Sequence, residues 1–167
     1  MIKTVNESIQ SIGESLTEIL IVAENLSEET IRWKPSEEEW SILQILSHLV
    51  EGVPYWLGEV ERVVAEPGSS WGRGLQDPAR LAAVNDTDKL SVMDVFVEVG
   101  KLSQKVASGL ELDAQTLKQE SPHRNFAKFG NKPVSFIIDH FIEEHVAGHA
   151  KQIQRNLSNY QKKEQNS

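Results

Sequence analysis

The sequence contains no cysteine among its 167 residues. This absence excludes thiolate zinc sites, iron–sulfur clusters, disulfide bonds and a cysteine nucleophile, and nothing indicates an oxidising compartment. A domain of this length buries about two thirds of the surface that its unfolded chain exposes, so it needs no structural metal to fold. We therefore expect one domain over residues 1–167, in which any bound metal has a functional role.

Basic charge is also scarce, with 17 Lys and Arg against 25 Asp and Glu and a formal net charge of -8. Nucleic-acid backbones and anionic membranes both require a positive protein face, so we expect neither as a partner. The N-terminus lacks the layout of a signal peptide, and no apolar run approaches the ~20 residues of a membrane helix. These absences lead us to expect a cytoplasmic protein.

Four segments carry apolar residues at spacings of three and four, which is typical of helices with one buried face. They cover residues 5–26, 41–65, 91–109 and 133–160, and the last is expected to fray into a charged tail over 161–167. Ser41 with Gln44 predicts a capping box at the start of the second helix, and Ser91 caps the third. The sequence thus predicts an all-α protein, a four-helix bundle.

The connections between these helices differ in length. Residues 67–90 are rich in Gly, Pro, Ser and Asp and predict a long link, with at most a helical turn near 79–83. Such a link lets the third helix run parallel to the second. Residues 110–132 predict a short helix over 113–119, followed by a polar loop.

Three histidines stand out by position. His145 and His149 are four residues apart on the fourth helix, so both imidazoles lie on one face and could bind one metal ion. His48 falls on the inward stripe of the second helix. Burying three unpaired imidazoles is costly, and a shared cation would remove that cost. The alternative is three histidines that are hydrogen-bonded separately in the core or at the surface.

Two other histidine-containing metal motifs do not match this sequence. The residue after His145 is Val146, whereas H-E-x-x-H metalloproteases place a glutamate there as general base. A di-iron carboxylate bundle needs Glu-x-x-His on two core helices, and the match Glu120 to His123 falls in the predicted loop.

Four further residues are weighed for a role at such a site. Glu51, one turn beyond His48, could accept a hydrogen bond or carry a proton, or be an ordinary surface glutamate. His123 could reach over the site or be a solvated loop residue. His140 is five residues from His145, about 140° around an α-helix, so we expect it to point elsewhere. Glu144 is expected on a solvated face.

Two segments resemble a known family. They are WSILQILSHL at residues 40–49, preceded by Trp33-Lys34-Pro35, and His145-x-x-x-His149-Ala-Lys-Gln-Ile. Together they are similar to the two signatures of the DinB/YfiT-like metalloenzyme superfamily, and the resemblance spans residues 5–160. It implies an up-down-down-up four-helix bundle with a long connection between helices two and three. It also implies a metal triad of His48, His145 and His149 that holds one divalent transition metal, zinc or nickel first and iron or manganese second.

The resemblance also implies a range of activities, from metal-dependent hydrolysis to transfer of low-molecular-weight thiols such as bacillithiol. We therefore expect a mononuclear site that activates water or a small thiol against a small-molecule electrophile, making the protein a hydrolase or a thiol S-transferase. Glu51 and His123 are the candidate acid–base residues. The alternative is a stress-responsive metal-binding protein without catalysis. Bundles of this kind often pair through exposed helix faces, so a homodimer is also expected.

Overall fold

Helices dominate the protein in a computed structural model that describes residues 3–167; Met1 and Ile2 of the predicted domain lie outside the described residues. In chain order the helices are α1 (Val5–Glu24), α2 (Glu28–Arg32), α3 (Ile42–Ala65), α4 (Pro78–Asn85), α5 (Val92–Gly109), α6 (Ala114–Leu117), α7 (Phe126–Phe129), α8 (Val134–Phe136) and α9 (Glu144–Gln165). A 3₁₀ turn covers Thr87–Lys89, and a π-helical segment covers Ile137–Glu143. Two short strands, β1 (Glu120–Pro122) and β2 (Asn131–Pro133), pair antiparallel.

The caps predicted from the sequence begin the long helices. Ser41 Oγ accepts from the Gln44 backbone N–H at 3.0 Å, and Gln44 Oε1 accepts from the Ser41 N–H at 2.8 Å. Ser91 Oγ accepts from the Asp94 N–H in the same way at the start of α5. Pro54 lies inside α3 without ending it.

Contacts between the long helices fix an up-down-down-up order. The Ser8 hydroxyl donates to Asp139 near the start of both α1 and the last helical segment, while Trp33 beyond α2 packs on Tyr160 near its end. The first and last helices therefore run the same way. Helix α3 runs antiparallel to the last helix. The Trp40 carbonyl, just before α3, accepts from Asn156, and Trp56, further along α3, stacks on Phe141.

The third long helix, α5, runs parallel to α3. Ser47 and Val50 share a groove with Asp94 and Val95, and Leu57 lies against Gly109 further along both helices. The parallel arrangement predicted from the long 67–90 link is therefore found.

The inward stripes of the helices meet in one apolar core. Fully buried leucine and isoleucine side chains each contribute about 1.5–3 kcal/mol relative to exposure. Members from all four long segments include Ile12, Ile19, Ile45, Leu49, Leu102, Ile142 and Ile153. His48 is buried on the same stripe as Ile45 and Leu49, so the core rigidly positions its ring.

The 67–90 link contains more helix than the single turn predicted near 79–83. Asp77 caps α4 by accepting from the Ala79 and Arg80 N–H groups. The carbonyls of Ala83 and Val84 near its end accept from Ser47 and Gln44 side chains of α3. These tertiary hydrogen bonds hold the end of α4 against α3.

The segment predicted as a short helix and a polar loop also contains the β1–β2 pair and α7. The buried Trp71 extends this pairing. Its backbone N–H donates to the Pro122 carbonyl, and its own carbonyl accepts from the Arg124 backbone N–H. The strands are too short to show an alternating pattern, so the all-helical expectation missed them.

The last helix continues to Gln165, beyond the expected end near residue 160, and the frayed tail over 161–167 stays a prediction. Lysines in its final turn favour a helix C-terminus, where the helix dipole places partial negative charge. Within residues 3–167, none of the helices combines the length and the apolar character needed to cross a membrane.

Candidate metal centre

The three histidines singled out from the sequence meet in the bundle. His145 Nε2 on α9 lies 3.1 Å from His48 Nε2 on α3 and 2.9 Å from His149 Nε2 one turn further along α9. One ring nitrogen from each residue lies within 4.8 Å of the others. The antiparallel packing of α3 against α9 brings these side chains to a common point.

The Nδ1 atoms of these rings, on the side away from the convergence point, have few hydrogen-bond partners among the described residues. His149 Nδ1 donates to Gln152 Oε1 at 2.8 Å. The Nδ1 atoms of His48 and His145 are buried and have no hydrogen-bond partner among the described residues. Trp40 packs on the cluster, with its ring centroid 4.9 Å from that of His48.

Burial keeps the cluster uncharged. It lowers the pKa of His48 to about 2 and that of His145 to about 3, and the neighbouring histidines and the positive charges of Arg80 and Arg73 add to this effect. Burial lowers the pKa of His149 as well, which the Gln152 hydrogen bond partly offsets. Neutral imidazoles are the form that binds metal ions.

The number of ring protons does not fit a network of hydrogen bonds alone. His149 uses its proton on Gln152, so its Nε2 carries only a lone pair. A single N–H on His145 cannot serve two Nε2 neighbours at close range. At least one pair of nitrogens then has no well-aligned proton between them. A cation that accepts all three lone pairs removes this conflict, so the donor set fits a metal such as zinc.

The helix that carries the cluster begins with an irregular turn. Ile137–Glu143 is π-helical, with hydrogen bonds from i to i+5 that widen each turn. His140 and His145 are five residues apart and line the same cavity. The expectation that His140 points elsewhere is therefore wrong, because it assumed the period of an α-helix.

A cavity of about 440 Å³ opens beside the cluster, within the range of roughly 300–1,000 Å³ typical of small-molecule sites. Its inner wall is formed by two of the histidines and by aromatic rings, with polar groups at the mouth. The lining residues are His48, Trp56, Arg73, Gly74, Leu75, Arg80, His140, Phe141, Glu144 and His145. A small molecule in this cavity would lie directly against the histidine cluster.

A family model described as the DinB superfamily matches residues 12–153 of the chain. The chain belongs to the DinB superfamily. This confirms the resemblance drawn from the two sequence segments. The match includes all three clustered histidines and the whole 67–90 link.

A solved structure agrees with this assignment. YfiT from Bacillus subtilis, described as a probable metal-dependent hydrolase with an unusual four-helix bundle topology, superposes with a TM-score of 0.74 at 13% sequence identity. The alignment covers 95% of this chain and 91% of that one. At this identity the likeness establishes the fold, which the two proteins share. A comparison with curated proteins finds none that matches significantly.

Glu51, the predicted proton carrier of this DinB-superfamily member, has another partner. Its two carboxylate oxygens accept from Arg73 at 2.7 and 2.5 Å, and Arg73 also contacts Asp77 at 3.3 Å. The Arg73 side chain is only 6% exposed. The structure does not bring Glu51 to the cavity wall, because this buried ion pair turns its carboxylate toward Arg73.

His123, the other predicted acid–base residue, is neither solvated nor at the cluster. Its ring is buried against Trp71 and Phe129, with centroid distances of 4.5 and 4.4 Å. Its Nδ1 accepts from the Asn125 backbone N–H at 2.8 Å. These contacts explain its burial without any ligand, and it does not line the cavity.

Sequence reasoning missed four polar residues of the cavity. Arg73 and Arg80 come from the 67–90 link, which lacks a periodic pattern. His140 and Glu144 lie at the mouth, where His140 Nδ1 and Glu144 Oε2 are 3.0 Å apart. The i,i+4 spacing of these two was the one available signal in the sequence.

Proposed function

We propose that His48, His145 and His149 hold one divalent transition-metal ion and that the protein is a metal-dependent enzyme of the hydrolase type. The convergence of three uncharged Nε2 atoms, that of the buried His48 and those of the partly buried His145 and His149, carries this proposal. Membership of the DinB superfamily and the fold shared with YfiT, itself described as a probable metal-dependent hydrolase, support it.

The donor set favours particular metals. Three imidazole nitrogens without a carboxylate or thiolate suit zinc, nickel and iron, and the family resemblance adds manganese as an alternative. When bound, such an ion supplies a Lewis acid that makes water or a small thiol nucleophilic at neutral pH.

The protein's own residues prepare the site in two ways. The hydrogen bond to Gln152 fixes the ring orientation and tautomer of His149. Trp56 and Phe141, stacked with centroids 4.3 Å apart, form an apolar wall that limits water in the cavity.

Metal content tests the first half of the proposal. Protein purified without chelator, or saturated with zinc, nickel, iron or manganese and then desalted, is expected to retain about one equivalent of metal per chain. His149→Ala is expected to lose it, whereas Phe126→Ala, a change of an exposed side chain, keeps it. Wild-type protein that takes up none of the four metals would contradict the proposal.

Turnover tests the second half. The metal-loaded protein is assayed against small esters and amides, with and without added thiols. Hydrolysis that needs no thiol and disappears in His149→Ala supports the proposal. Turnover only with a thiol would assign the protein as a thiol transferase, and metal binding without any turnover would favour the non-catalytic alternative.

A further inference from the structure

The cavity beside the histidine cluster contains positive charge, although the chain as a whole has a net charge of -8. Arg73 and Arg80 both line it. Arg73 is neutralised by Glu51 and Asp77, as described above. Arg80 has a different environment.

The guanidinium of Arg80 has no carboxylate within 4.0 Å among residues 3–167. Its Nη1 donates to the Leu75 carbonyl at 3.0 Å, and its central carbon lies 5.8 Å from the centroid of the Trp40 ring. Trp40 in turn packs on His48 and His149. Arg80 is thus held half-buried next to the cluster with most of its five N–H donors unused.

We propose that Arg80 binds the carboxylate of the substrate, so that the enzyme acts on small molecules with a carboxylate group and a reactive group in the same molecule. This inference names the substrate class of the proposed enzyme and so rests on the proposed function. A partly desolvated guanidinium without a carboxylate partner among the described residues gains most from a bound anion, and its planar fork matches a carboxylate. The reactive group then lies toward the histidine side of the cavity.

A carboxylate fits better than a phosphate dianion for two reasons. One arginine with one donor already used offers a single two-pronged contact. Glu144 at the cavity mouth adds a negative charge that disfavours a second charge on the ligand. Because Glu144 is 68% exposed and held by His140, it leaves Arg80 available.

Binding of three aromatic probes tests this without requiring activity. Benzoate, its neutral isostere benzamide and phenyl phosphate are titrated into the full-length protein, followed by amide and side-chain chemical shifts. The metal-free protein is measured first, so that no probe can bind through a metal, and the zinc-loaded protein second. Benzoate is expected to bind at least about tenfold more tightly than benzamide, the gain typical of a charge-assisted hydrogen bond.

Variants at Arg80 assign the effect. Arg80→Gln is expected to weaken benzoate about tenfold and to leave benzamide unchanged, while Arg80→Lys keeps part of the preference because it retains the charge without the fork. Arg155→Gln, a matched change on the exposed side of α9, should bind all probes as the wild type does. Thermal unfolding of each variant verifies its fold.

The inference is overturned if benzoate and benzamide bind equally, if Arg80→Gln binds benzoate as tightly as the wild type, or if phenyl phosphate binds most tightly. Its failure can be told from that of the proposed function. Hydrolysis without preference for anionic esters contradicts only the role of Arg80. Arg80-dependent benzoate binding without metal uptake contradicts only the metal-dependent enzyme.

Discussion

His123 and His48 of the cluster are both buried, but their rings are stabilised differently. His123 packs among aromatic side chains, and its Nδ1 accepts from a backbone N–H two residues away. The Nδ1 atoms of His48 and His145 have no partner among the described residues, and their Nε2 atoms face one another. A histidine such as His123, whose ring is held by local contacts alone, stabilises the fold, whereas convergent rings whose Nδ1 atoms have no partner among the described residues, as at His48 and His145, indicate a binding site.

The largest expected effect is a loss of metal affinity when a histidine of the cluster is replaced. His145→Ala removes the central member of the cluster. Zinc sites with four protein ligands bind with about 10–16 kcal/mol, so losing one of three ligands is expected to cost about 4 kcal/mol, or roughly a thousandfold. Competition with a chromophoric chelator measures this change. His140→Gln, which alters a cavity residue outside the cluster, should bind metal normally, and equal losses in both variants would contradict the assignment.

The second effect concerns stability without metal. His123→Ala removes a buried ring from between Trp71 and Phe129 and is expected to lower the free energy of unfolding by about 3 kcal/mol. Urea unfolding of the metal-free protein measures it. Phe126→Ala in the same segment, where the ring is exposed, should change stability by less than about 0.5 kcal/mol. A loss below about 1 kcal/mol for His123→Ala would show that the ring is not an anchor.

A third prediction tests how tightly the chain closes over His123. Gly72 has a φ of +98°, and a Cβ at this position would lie 2.5 Å from His123 Nε2. Gly72→Ala is therefore expected to destabilise the protein by about 2 kcal/mol through backbone strain and the clash. Gly74→Ala is the matched control, because a Cβ there meets nothing within 4 Å. Similar unfolding midpoints for the two variants would disprove the close approach.

The smallest effect is the pH dependence of stability. The pKa of His48 is lowered to about 2 in the folded protein from an ordinary value of 6.5. Below pH 6.5 the unfolded chain binds a proton at His48 that the folded chain does not. The free energy of unfolding therefore falls as the pH drops below 6.5, and above 6.5 this residue causes no loss. The expected loss for this residue is up to about 1.4 kcal/mol per pH unit.

Urea unfolding of the metal-free protein at about pH 7.5 and about pH 5.5 measures that slope. His48→Gln should lose less stability between the two pH values than the wild type. Met93→Ala, a change of an exposed side chain, should keep the wild-type slope. The same slope in His48→Gln would contradict the buried neutral state.

The sequence predicted the features that depend on local pattern. The 3.6-residue period placed the four long helices, and Ser41 with Gln44 located the start of α3 within a residue. The same period placed His145 and His149 on one face and His48 on an inward stripe, so the sequence alone singles out the three clustered residues.

Other features depend on contacts that no local pattern contains. The docking of α4 on α3 depends on hydrogen bonds from Gln44 and Ser47, and the β1–β2 pair depends on chain segments that meet around Trp71. The orientation of His140 depends on a π-helical turn. The prediction from the sequence assumed a regular α-helix and therefore placed His140 on the wrong side. The partnership of Glu51 with Arg73 joins residues 22 positions apart through an aperiodic link.

The sequence by itself determined the helices, their inward faces and the identity of the histidines, because helical periodicity and capping are properties of neighbouring residues. The tertiary structure decided which nitrogens meet, which carboxylates are already paired and which arginine of the cavity has no carboxylate partner among residues 3–167. Those outcomes follow from the packing of α3 against α9 and from the path of the 67–90 link, where distant residues compete for the same partners.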